Sequence, residues 1–243
     1  MMYALEDLLI LPRHTHGSIT LNRISIAYND PLALYNEYKD IFIHKIYHFN
    51  SPHPAPIILD VGGYIGLSAL YFKTLFPGAK ITVFEPEPAI FALLKANLVN
   101  NGFSDVLLIA AAAGKEKTKA LFYPDGADGG SLLAREQTRV IEVNLVRLSD
   151  YIAGDIDLLK MNIEGMEGDV FEEIEPKLSR VKEIIFEYHA FAHLPQRLGD
   201  ILTRLDRNGF KYLVTDVPCA RTPLPVGMNQ NYKHFNLIYA RKM

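Results

Sequence analysis

Cysteine is nearly absent from this 243-residue chain, in which Cys219 stands alone. A single thiol excludes a disulfide within the chain and a cysteine-based zinc site, and it suits a reducing compartment. The start of the chain also lacks a basic region followed by an apolar one, because Glu6 and Asp7 interrupt it. We therefore expect no secretory signal and a cytoplasmic location.

The chain has little excess charge and no long apolar run. Its formal net charge is −3 and its pI is about 6.2, whereas nucleic-acid-binding domains usually have a basic face or a pI above about 9. Asp60 or Pro77 interrupts the longest apolar stretches well before the ~20 residues that a membrane helix needs. We expect neither nucleic acid as a partner nor insertion into a membrane.

A glycine-rich turn is the most informative feature of the chain. An apolar run that ends at Asp60 indicates a buried parallel strand. The turn that follows contains Gly62, Gly63 and Gly66. A dinucleotide-binding fingerprint needs G-x-G-x-x-G, and Val61 occupies the place of its first glycine. Because Asp60 would repel a pyrophosphate and attract an ammonium group, the turn favours S-adenosylmethionine over a dinucleotide.

A second carboxylate follows the next predicted strand, residues 81–84. Glu85 at the end of this strand can accept hydrogen bonds from both ribose hydroxyls of an adenosyl group. Such a glutamate is often only a solvated strand end. Its position behind the glycine turn makes the ribose the better interpretation.

Predicted strands and helices alternate from residue 57 onward, as in a parallel sheet covered on both faces. We predict a fourth core strand over residues 156–163, a fifth over 181–187 and a helix over 194–205. The last two strands, residues 210–215 and 234–240, are joined without a helix and should be antiparallel neighbours. The pattern predicts an α/β fold with a doubly wound sheet.

The first part of the chain differs from this core. Residues 18–28 alternate like a strand or hairpin, residues 32–49 have roughly helical spacing, and prolines stiffen residues 51–56. We predict a small strand and helix appendage over residues 1–54, acting as a lid or docking segment, and a cofactor-binding domain over 55–243.

The motifs together resemble the FkbM-type S-adenosylmethionine-dependent methyltransferases, which belong to the class I, Rossmann-like methyltransferases. The resemblance covers about residues 37–241 and rests on residues 60–66, 84–86, 148–151, 158–167 and 186–189. It implies a seven-stranded, mostly parallel sheet with an antiparallel last strand. It also implies methyl transfer from S-adenosylmethionine to a hydroxyl of a small metabolite, a sugar or a polyketide-like product.

The resemblance carries specific residues with it. The residues expected to bind the cofactor are Asp60, Gly62, Gly63, Tyr64, Gly66, Glu85, Pro86 and Asn162. One position departs from the family, which commonly has Asp where this chain has Asn162. Because Asn can neither take a proton nor hold a metal as a carboxylate does, this departure argues against such a role for position 162.

The candidate acid–base residues follow the fourth and fifth strands, where the ligand crevice of an open α/β sheet lies. His189 is the first candidate for the general base, because its unperturbed pKa of about 6.5 suits proton abstraction. Glu164 and Glu187 are alternatives. His189 can also be merely structural, or the three side chains can hold a divalent metal, although no spacing enforces that and we assign none.

Two further questions stay open in the sequence. The glycine-rich residues 124–131 can close over the cofactor or form a plain hairpin tip. A cofactor-binding module without turnover, motivated by Asn162, and a nucleotide-dependent oxidoreductase are the alternative functions. The acceptor is not encoded in a readable motif, and the oligomeric state is open, a homo-oligomer included.

Overall fold

The structure of the protein, a computed structural model, describes residues 4–133, 139–216 and 233–243. The loop predicted over residues 216–233, with Cys219, lies almost entirely outside the described residues. Among the helices in these ranges, none has both the length and the apolar composition needed to span a bilayer.

The amino-terminal segment is a β-hairpin followed by a short helix. Its elements are a 3-10 helix (Leu5–Ile10), β1 (Gly17–Leu21), β2 (Ile24–Tyr28), α1 (Pro31–Tyr38) and a π-helical turn (Lys39–Ile43). The antiparallel pairing of β1 with β2 confirms the predicted hairpin. Asp30 caps α1 by accepting a hydrogen bond from the N–H of Ala33 at 2.8 Å. The regular helix ends at Tyr38, earlier than the predicted span of 32–49.

The remaining elements follow the predicted alternation of strands and helices. In chain order they are β3 (Ile57–Val61), α2 (Leu67–Leu75), β4 (Lys80–Phe84), α3 (Pro88–Asn100), β5 (Leu107–Ile109), β6 (Ala112–Gly114), β7 (Thr118–Phe122), β8 (Ile141–Arg147), a 3-10 helix (Leu148–Tyr151), β9 (Ile156–Met161), α4 (Glu167–Ile174), a 3-10 helix (Glu175–Arg180), β10 (Val181–Phe191), α5 (Leu198–Arg207), β11 (Phe210–Asp216) and β12 (Lys233–Lys242).

Seven of the described strands form one sheet, in the order β11-β12-β10-β9-β3-β4-β5. Strand β12 is antiparallel to both of its neighbours, and the other pairs are parallel. This topology confirms the predicted class I methyltransferase fold, including the antiparallel last strand. A second sheet, in the order β6-β8-β7, pairs β8 with the strand before the glycine-rich loop, as predicted.

Alternate residues of the central strands are buried on opposite faces of the main sheet. Ile58 and Leu158 belong to one hydrophobic cluster, whereas Leu59 and Leu159 belong to another. Burial of each such side chain stabilises the fold by roughly 1.5–3 kcal/mol. A strand buried on both faces has a continuous apolar sequence, which is why β3 could be predicted.

Two boundaries differ from the sequence prediction. Strand β10 continues to Phe191, beyond the predicted end at Glu187, because it keeps pairing with β12. His189 therefore lies inside a strand, opposite Phe235. Helix α5 begins at Leu198 and not at residue 194, since the preceding residues form a turn.

The amino-terminal segment packs on the same core as the sheet. Leu34 and Tyr38 of α1 belong to the hydrophobic cluster that contains Leu70 of α2. The fully buried Asn97 side chain of α3 makes two hydrogen bonds to the backbone of Ala27. It also donates to the carbonyl oxygen of Ile65, at 2.8 Å. Packing and hydrogen bonds thus join the predicted appendage to the glycine turn.

Candidate functional site

The turn after β3 is held against the ends of the two neighbouring strands. The N–H groups of Gly62 and Gly63 both donate to the carbonyl oxygen of Phe84, at 3.1 and 3.0 Å. Gly62 has φ +83°, in the left-handed region, and a Cβ there would overlap the carbonyl oxygen of Asn162. Only glycine therefore lets this turn lie between β4 and β9.

The other predicted residues of the turn shape it from different sides. A Cβ on Gly63 would collide with side chains of β4 and α3. Gly66 has φ +94° and caps α2. The hydroxyl of Tyr64 donates to the side-chain oxygen of Asn29 at 2.6 Å, which ties the turn to the amino-terminal segment. Gly63 and Gly66 thus position the turn, whereas Gly62 and Tyr64 line the cavity beside it.

Asp60 lies beneath the turn and is fully buried. Its Oδ1 is 3.0 Å from the Nζ of Lys160, and its Oδ2 accepts a hydrogen bond from the hydroxyl of Ser68 at 2.5 Å. Lys160 also donates to the carbonyl oxygen of Gly62 at 2.7 Å. The Asp60 carboxylate therefore faces a lysine, whereas the sequence interpretation paired it with the ammonium group of the ligand. A cofactor-binding role for Asp60 stays a prediction.

Glu85 follows β4 and is buried at the same edge of the sheet. Its Oε2 accepts a hydrogen bond from the N–H of Tyr64 at 3.0 Å, and its Oε1 from that of Glu87 at 2.9 Å. Burial raises the pKa of Glu85 to about 8, against these two hydrogen bonds, which lower it. Because each carboxylate oxygen keeps a second lone pair, Glu85 can still accept hydrogen bonds from two hydroxyl groups.

A cavity of about 680 Å³, including its opening to solvent, lies beside the turn, and we call it the first cavity. The predicted cofactor residues that line it are Gly62, Tyr64, Glu85, Pro86 and Asn162.

The glycine-rich loop over residues 124–131 lies against this cavity. Ala127 and Asp128 contribute to its lining. Asp125 folds the loop by accepting hydrogen bonds from the N–H groups of Ala127 and Gly129, at 2.8 and 3.0 Å. The hydroxyl of Ser131 donates to the carbonyl oxygen of Glu164 at 2.7 Å. The loop is therefore part of the cavity wall, and its closure over a cofactor stays a prediction.

A second cavity, of about 1160 Å³ with its opening, adjoins the first. Most of its lining is polar and comes from the amino-terminal segment, the glycine-rich loop and β10. Its polar side chains are those of Asn36, Glu37, Lys39, Asp40, His44, Tyr47, Asp125, Asp128, Asn162, Glu164, Glu187 and His189. Four residues line both cavities and mark their junction: Glu37, Asp128, Asn162 and Glu164.

His189 is buried between two carboxylates. Its Nε2 is 3.1 Å from Oε1 of Glu164, and its Nδ1 is 2.8 Å from Oε1 of Glu167. Burial by itself would lower the pKa of His189, but the charges of the two glutamates outweigh it and raise the pKa to about 10. An imidazolium with both nitrogens occupied has no lone pair for a proton, which argues against His189 as general base at neutral pH.

Glu187 of β10 faces the second cavity and accepts a hydrogen bond from the hydroxyl of Tyr47. Burial raises the pKa of Glu187, against the charge of His189 and the Tyr47 hydrogen bond, which lower it. The Nζ of Lys160 lies 5.1 Å from the centre of the Tyr47 ring, a cation–π distance. Glu187 is thus a carboxylate whose affinity for a proton is increased by its surroundings.

Sequence reasoning missed the roles of Lys160 and Glu167, and it noted Glu37 only as part of the family likeness. Lys160 is a charged residue inside a fully buried strand, and this anomaly is a signal for a buried ion pair. Glu167 and Glu37 gave no comparable signal, because an acidic residue in a helix is usually solvated. Only their tertiary neighbours distinguish them.

The metal alternative finds no ligand set in the described part of the chain. No group of three histidine, cysteine, aspartate or glutamate side chains is arranged there to hold a metal ion. Both ring nitrogens of His189 face glutamates, so neither is directed at an ion. Glu164, Glu187 and His189 share the second cavity without forming a metal site.

Comparisons with known proteins identify the family. The Methyltransferase FkbM domain matches residues 60–212, more than half of the chain. Methyltransferase 1 of Beauveria bassiana is 30% identical over 165 residues, which cover 57% of this chain and 66% of that protein. The 31-O-demethyl-FK506 methyltransferase FkbM of Streptomyces tacrolimicus is 28% identical over 221 residues, 74% of this chain and 83% of that protein.

A solved structure agrees with the fold. The methyltransferase FkbM from Methylobacillus flagellatus KT superposes with a TM-score of 0.50 at 14% identity, over 86% of this chain and 53% of that one. The matched family domain begins at Asp60 and spans the glycine turn, Glu85, Asn162 and His189. The chain therefore belongs to the FkbM family of S-adenosylmethionine-dependent methyltransferases, as its motifs predicted.

Proposed function

We propose that this protein transfers the methyl group of S-adenosylmethionine to a hydroxyl of a small, polar acceptor such as a sugar, a metabolite or a polyketide-like product. The observation that carries this proposal is the pair of joined cavities. A transferase must hold a donor and an acceptor at once with the reacting atoms adjacent. The first cavity suits the cofactor and the second suits the acceptor.

The residues of the first cavity fit S-adenosylmethionine chemically. Glu85 has free lone pairs for the two ribose hydroxyls. Gly62 lines the cavity without a side chain, so that the cavity stays open beside the turn. The side-chain oxygen of Asn162 is buried and has no hydrogen-bond partner among the described residues, so it can accept one from a ligand. When bound, the cofactor supplies a methyl group on a positively charged sulfur. The sulfur is a good leaving group because it becomes a neutral thioether when the methyl group departs.

We assign the general base to Glu187. The acceptor hydroxyl oxygen forms a bond to the methyl carbon, the carbon–sulfur bond breaks with its electron pair remaining on sulfur, and the hydroxyl proton goes to the Glu187 carboxylate. Burial raises the pKa of Glu187, which favours this proton transfer. Glu164 is the alternative, but its charge is paired with His189.

Oxygen is the acceptor atom that the available observations favour. Carboxylates predominate among the charged groups of the second cavity, which suits a neutral hydroxylated molecule better than an anionic one. The Streptomyces relative is named as the methyltransferase of a 31-O-demethyl compound, which is consistent with O-methylation. The identity of the acceptor, the absence of nucleic acid among the partners and the cytoplasmic location stay predictions.

The alternative functions have less support. The oxidoreductase alternative loses its basis because the chain belongs to a methyltransferase family. A binding module without turnover was suggested by Asn162, but two carboxylates that can take a proton, Glu164 and Glu187, line the second cavity. We therefore favour an active enzyme.

The test combines cofactor binding with turnover. We expect calorimetry to detect saturable binding of S-adenosylhomocysteine, lost in Glu85→Ala, and mass spectrometry to detect methylation in a panel of hydroxylated acceptors. Glu187→Gln should lower kcat by about 10²–10⁴-fold and leave cofactor affinity unchanged. Glu164→Gln should lower kcat by a smaller factor. Absence of cofactor binding to the folded wild type would refute the proposal. A larger loss in Glu164→Gln would move the base to that residue.

A further inference from the structure

Acidic side chains are the main polar groups at the junction of the two cavities. Glu37, Asp128 and Glu164 contribute carboxylates there, and Asn162 contributes an amide. If the proposed function is correct, on which this inference rests, the methyl group passes from donor to acceptor at this junction. The junction residues are then among the protein groups near the sulfonium.

The three junction carboxylates differ in their partners. Glu164 is 3.1 Å from the protonated ring of His189, which offsets its charge. The charge of Asp128 acts on Arg13, whose pKa it helps to raise. No hydrogen bond or ion pair to the Glu37 carboxyl is found in the described residues. When the Glu37 carboxyl is ionised, no neighbouring group among the described residues neutralises it by direct contact.

A second polar group at the junction also lacks a partner. The side-chain oxygen of Asn162 is buried, yet it accepts no hydrogen bond from the described residues. Unsatisfied buried acceptors are costly and rare in native proteins, and they indicate a missing ligand or water. A carboxylate and an amide oxygen together form a region that attracts positive charge.

We propose that Glu37 determines donor specificity by recognising, together with the amide oxygen of Asn162, the positive charge of the sulfonium. S-adenosylmethionine then binds more tightly than S-adenosylhomocysteine, in which the sulfur is neutral. Because methyl transfer removes that charge, it also removes the attraction, so the same residue favours release of the spent cofactor.

The protonation of Glu37 supports this role. Burial and the negative charge of Asp128 raise the pKa of Glu37 well above its usual range, and Lys160 opposes them only in part. A cation bound beside this carboxyl favours its ionised form. Binding of S-adenosylmethionine should therefore release more protons than binding of S-adenosylhomocysteine. Any proton that Glu85 releases is released with both ligands, because both contain the ribose. The difference in proton release between the two ligands therefore excludes Glu85.

The experiment is calorimetry of the full chain with three ligands in two buffers that differ in ionisation enthalpy. The ligands are S-adenosylmethionine, S-adenosylhomocysteine and sinefungin, which carries a protonated amine in place of the methyl-bearing sulfonium. We expect the wild type to bind both cationic ligands at least about tenfold more tightly than the neutral one. In Glu37→Gln this ratio and the extra proton release should disappear, with S-adenosylhomocysteine affinity changed less than about threefold.

Two variants serve as controls. Glu37→Asp keeps the charge and should restore most of the discrimination. Asp40→Asn removes a carboxyl three residues away that lines only the second cavity and pairs with His44 at 3.0 Å. It should leave the ratio unchanged. Circular dichroism of each variant establishes that it is folded.

The outcomes separate this inference from the proposed function. An unchanged ratio in folded Glu37→Gln would overturn the inference alone. Loss of turnover in that variant with an unchanged ratio would also overturn it and indicate that Glu37 is the base. If the wild type bound none of the three ligands, the proposed function would fail and the inference with it.

Discussion

At the scale of single residues, the environment of His189 determines which groups near the second cavity can accept a proton. A histidine at the end of a strand is the usual first choice for a general base, since its ordinary pKa is near neutrality. Here Glu164 and Glu167 occupy both ring nitrogens. The ring is then a buried cation that positions two carboxylates, and this arrangement supports our proposal that Glu187 takes the proton.

This arrangement predicts a pH-dependent contribution to stability. The pKa of His189 is about 10 in the folded protein, above its value of about 6.5 in the unfolded chain. The stabilisation is therefore present in full below about pH 6.5 and is lost as the pH rises to 10. His189→Gln should lower the free energy of unfolding by about 3–5 kcal/mol at pH 6.5, and by clearly less at pH 10. Urea denaturation at both pH values measures the difference.

The control for this prediction is His193→Gln. His193 is exposed, and its substitution should change the free energy of unfolding by no more than about 0.5 kcal/mol at either pH. If His189→Gln were equally destabilising at pH 6.5 and pH 10, the histidine would be packed as a neutral ring. The case for His189 as general base would then regain strength.

At the scale of elements, the glycine turn joins three strands of the sheet. It connects β3 to α2, its N–H groups bond to the end of β4, and its first glycine lies against the end of β9. The cavity depends on this contact, since Gly62 and Asn162 both line it. A change that separates the two strands should therefore disturb both stability and cofactor binding.

Three glycine-to-alanine substitutions separate backbone strain from lost space. Gly62→Ala combines a left-handed φ with a backbone overlap, so we expect a loss of more than about 2 kcal/mol in the free energy of unfolding, with weaker cofactor binding. Gly66→Ala places a side chain on a left-handed backbone but makes only ordinary van der Waals contacts. It should lower the free energy of unfolding by about 1–2 kcal/mol. Gly154→Ala has open space and an unstrained φ and should be neutral or slightly stabilising. Chemical denaturation would contradict this order if Gly62→Ala were neutral.

At the scale of the whole molecule, the amino-terminal segment contributes to the core and to the second cavity. Its hairpin is hydrogen-bonded to α3, its helix packs on α2, and Tyr47 is hydrogen-bonded to Glu187 of β10. We propose that the division into residues 1–54 and 55–243 reflects a change in sequence pattern and is not a boundary between two separate domains. We propose that the segment forms the acceptor side of the site and does not fold separately.

This proposal predicts one cooperative unfolding transition. Hydrogen exchange in increasing urea should give the same midpoint for peptides from residues 17–38 and from 156–161. Asn97→Ala, which leaves buried backbone groups unpaired, should lower that common midpoint and cost about 2–3 kcal/mol. The exposed Asn100 on the same helix is the matched control, and Asn100→Ala should have little effect. An earlier midpoint for residues 17–38 would mean that the segment unfolds on its own.

The sequence by itself determined the family and the sheet, and it predicted which residues form the cofactor side of the site. Local patterns sufficed there: a continuous apolar run identifies a strand buried on both faces, and a glycine turn and Glu85 at the ends of neighbouring strands have a fixed spacing. The antiparallel last strand followed from a connection without helical periodicity. These features are encoded over a few consecutive residues.

Only the tertiary structure decided charge and protonation. Asp60 was predicted to face a ligand, and its carboxylate lies 3.0 Å from the Nζ of Lys160, one hundred residues later in the chain. His189 was the expected base, and the charges of Glu164 and Glu167 outweigh its burial and raise its pKa to about 10. Burial and the distances between side chains that are remote in sequence set these properties, and electrostatic energies in a protein interior depend steeply on both. A pattern of residue types contains neither quantity, so the chemistry of this site could be assigned only after folding had brought the charges together.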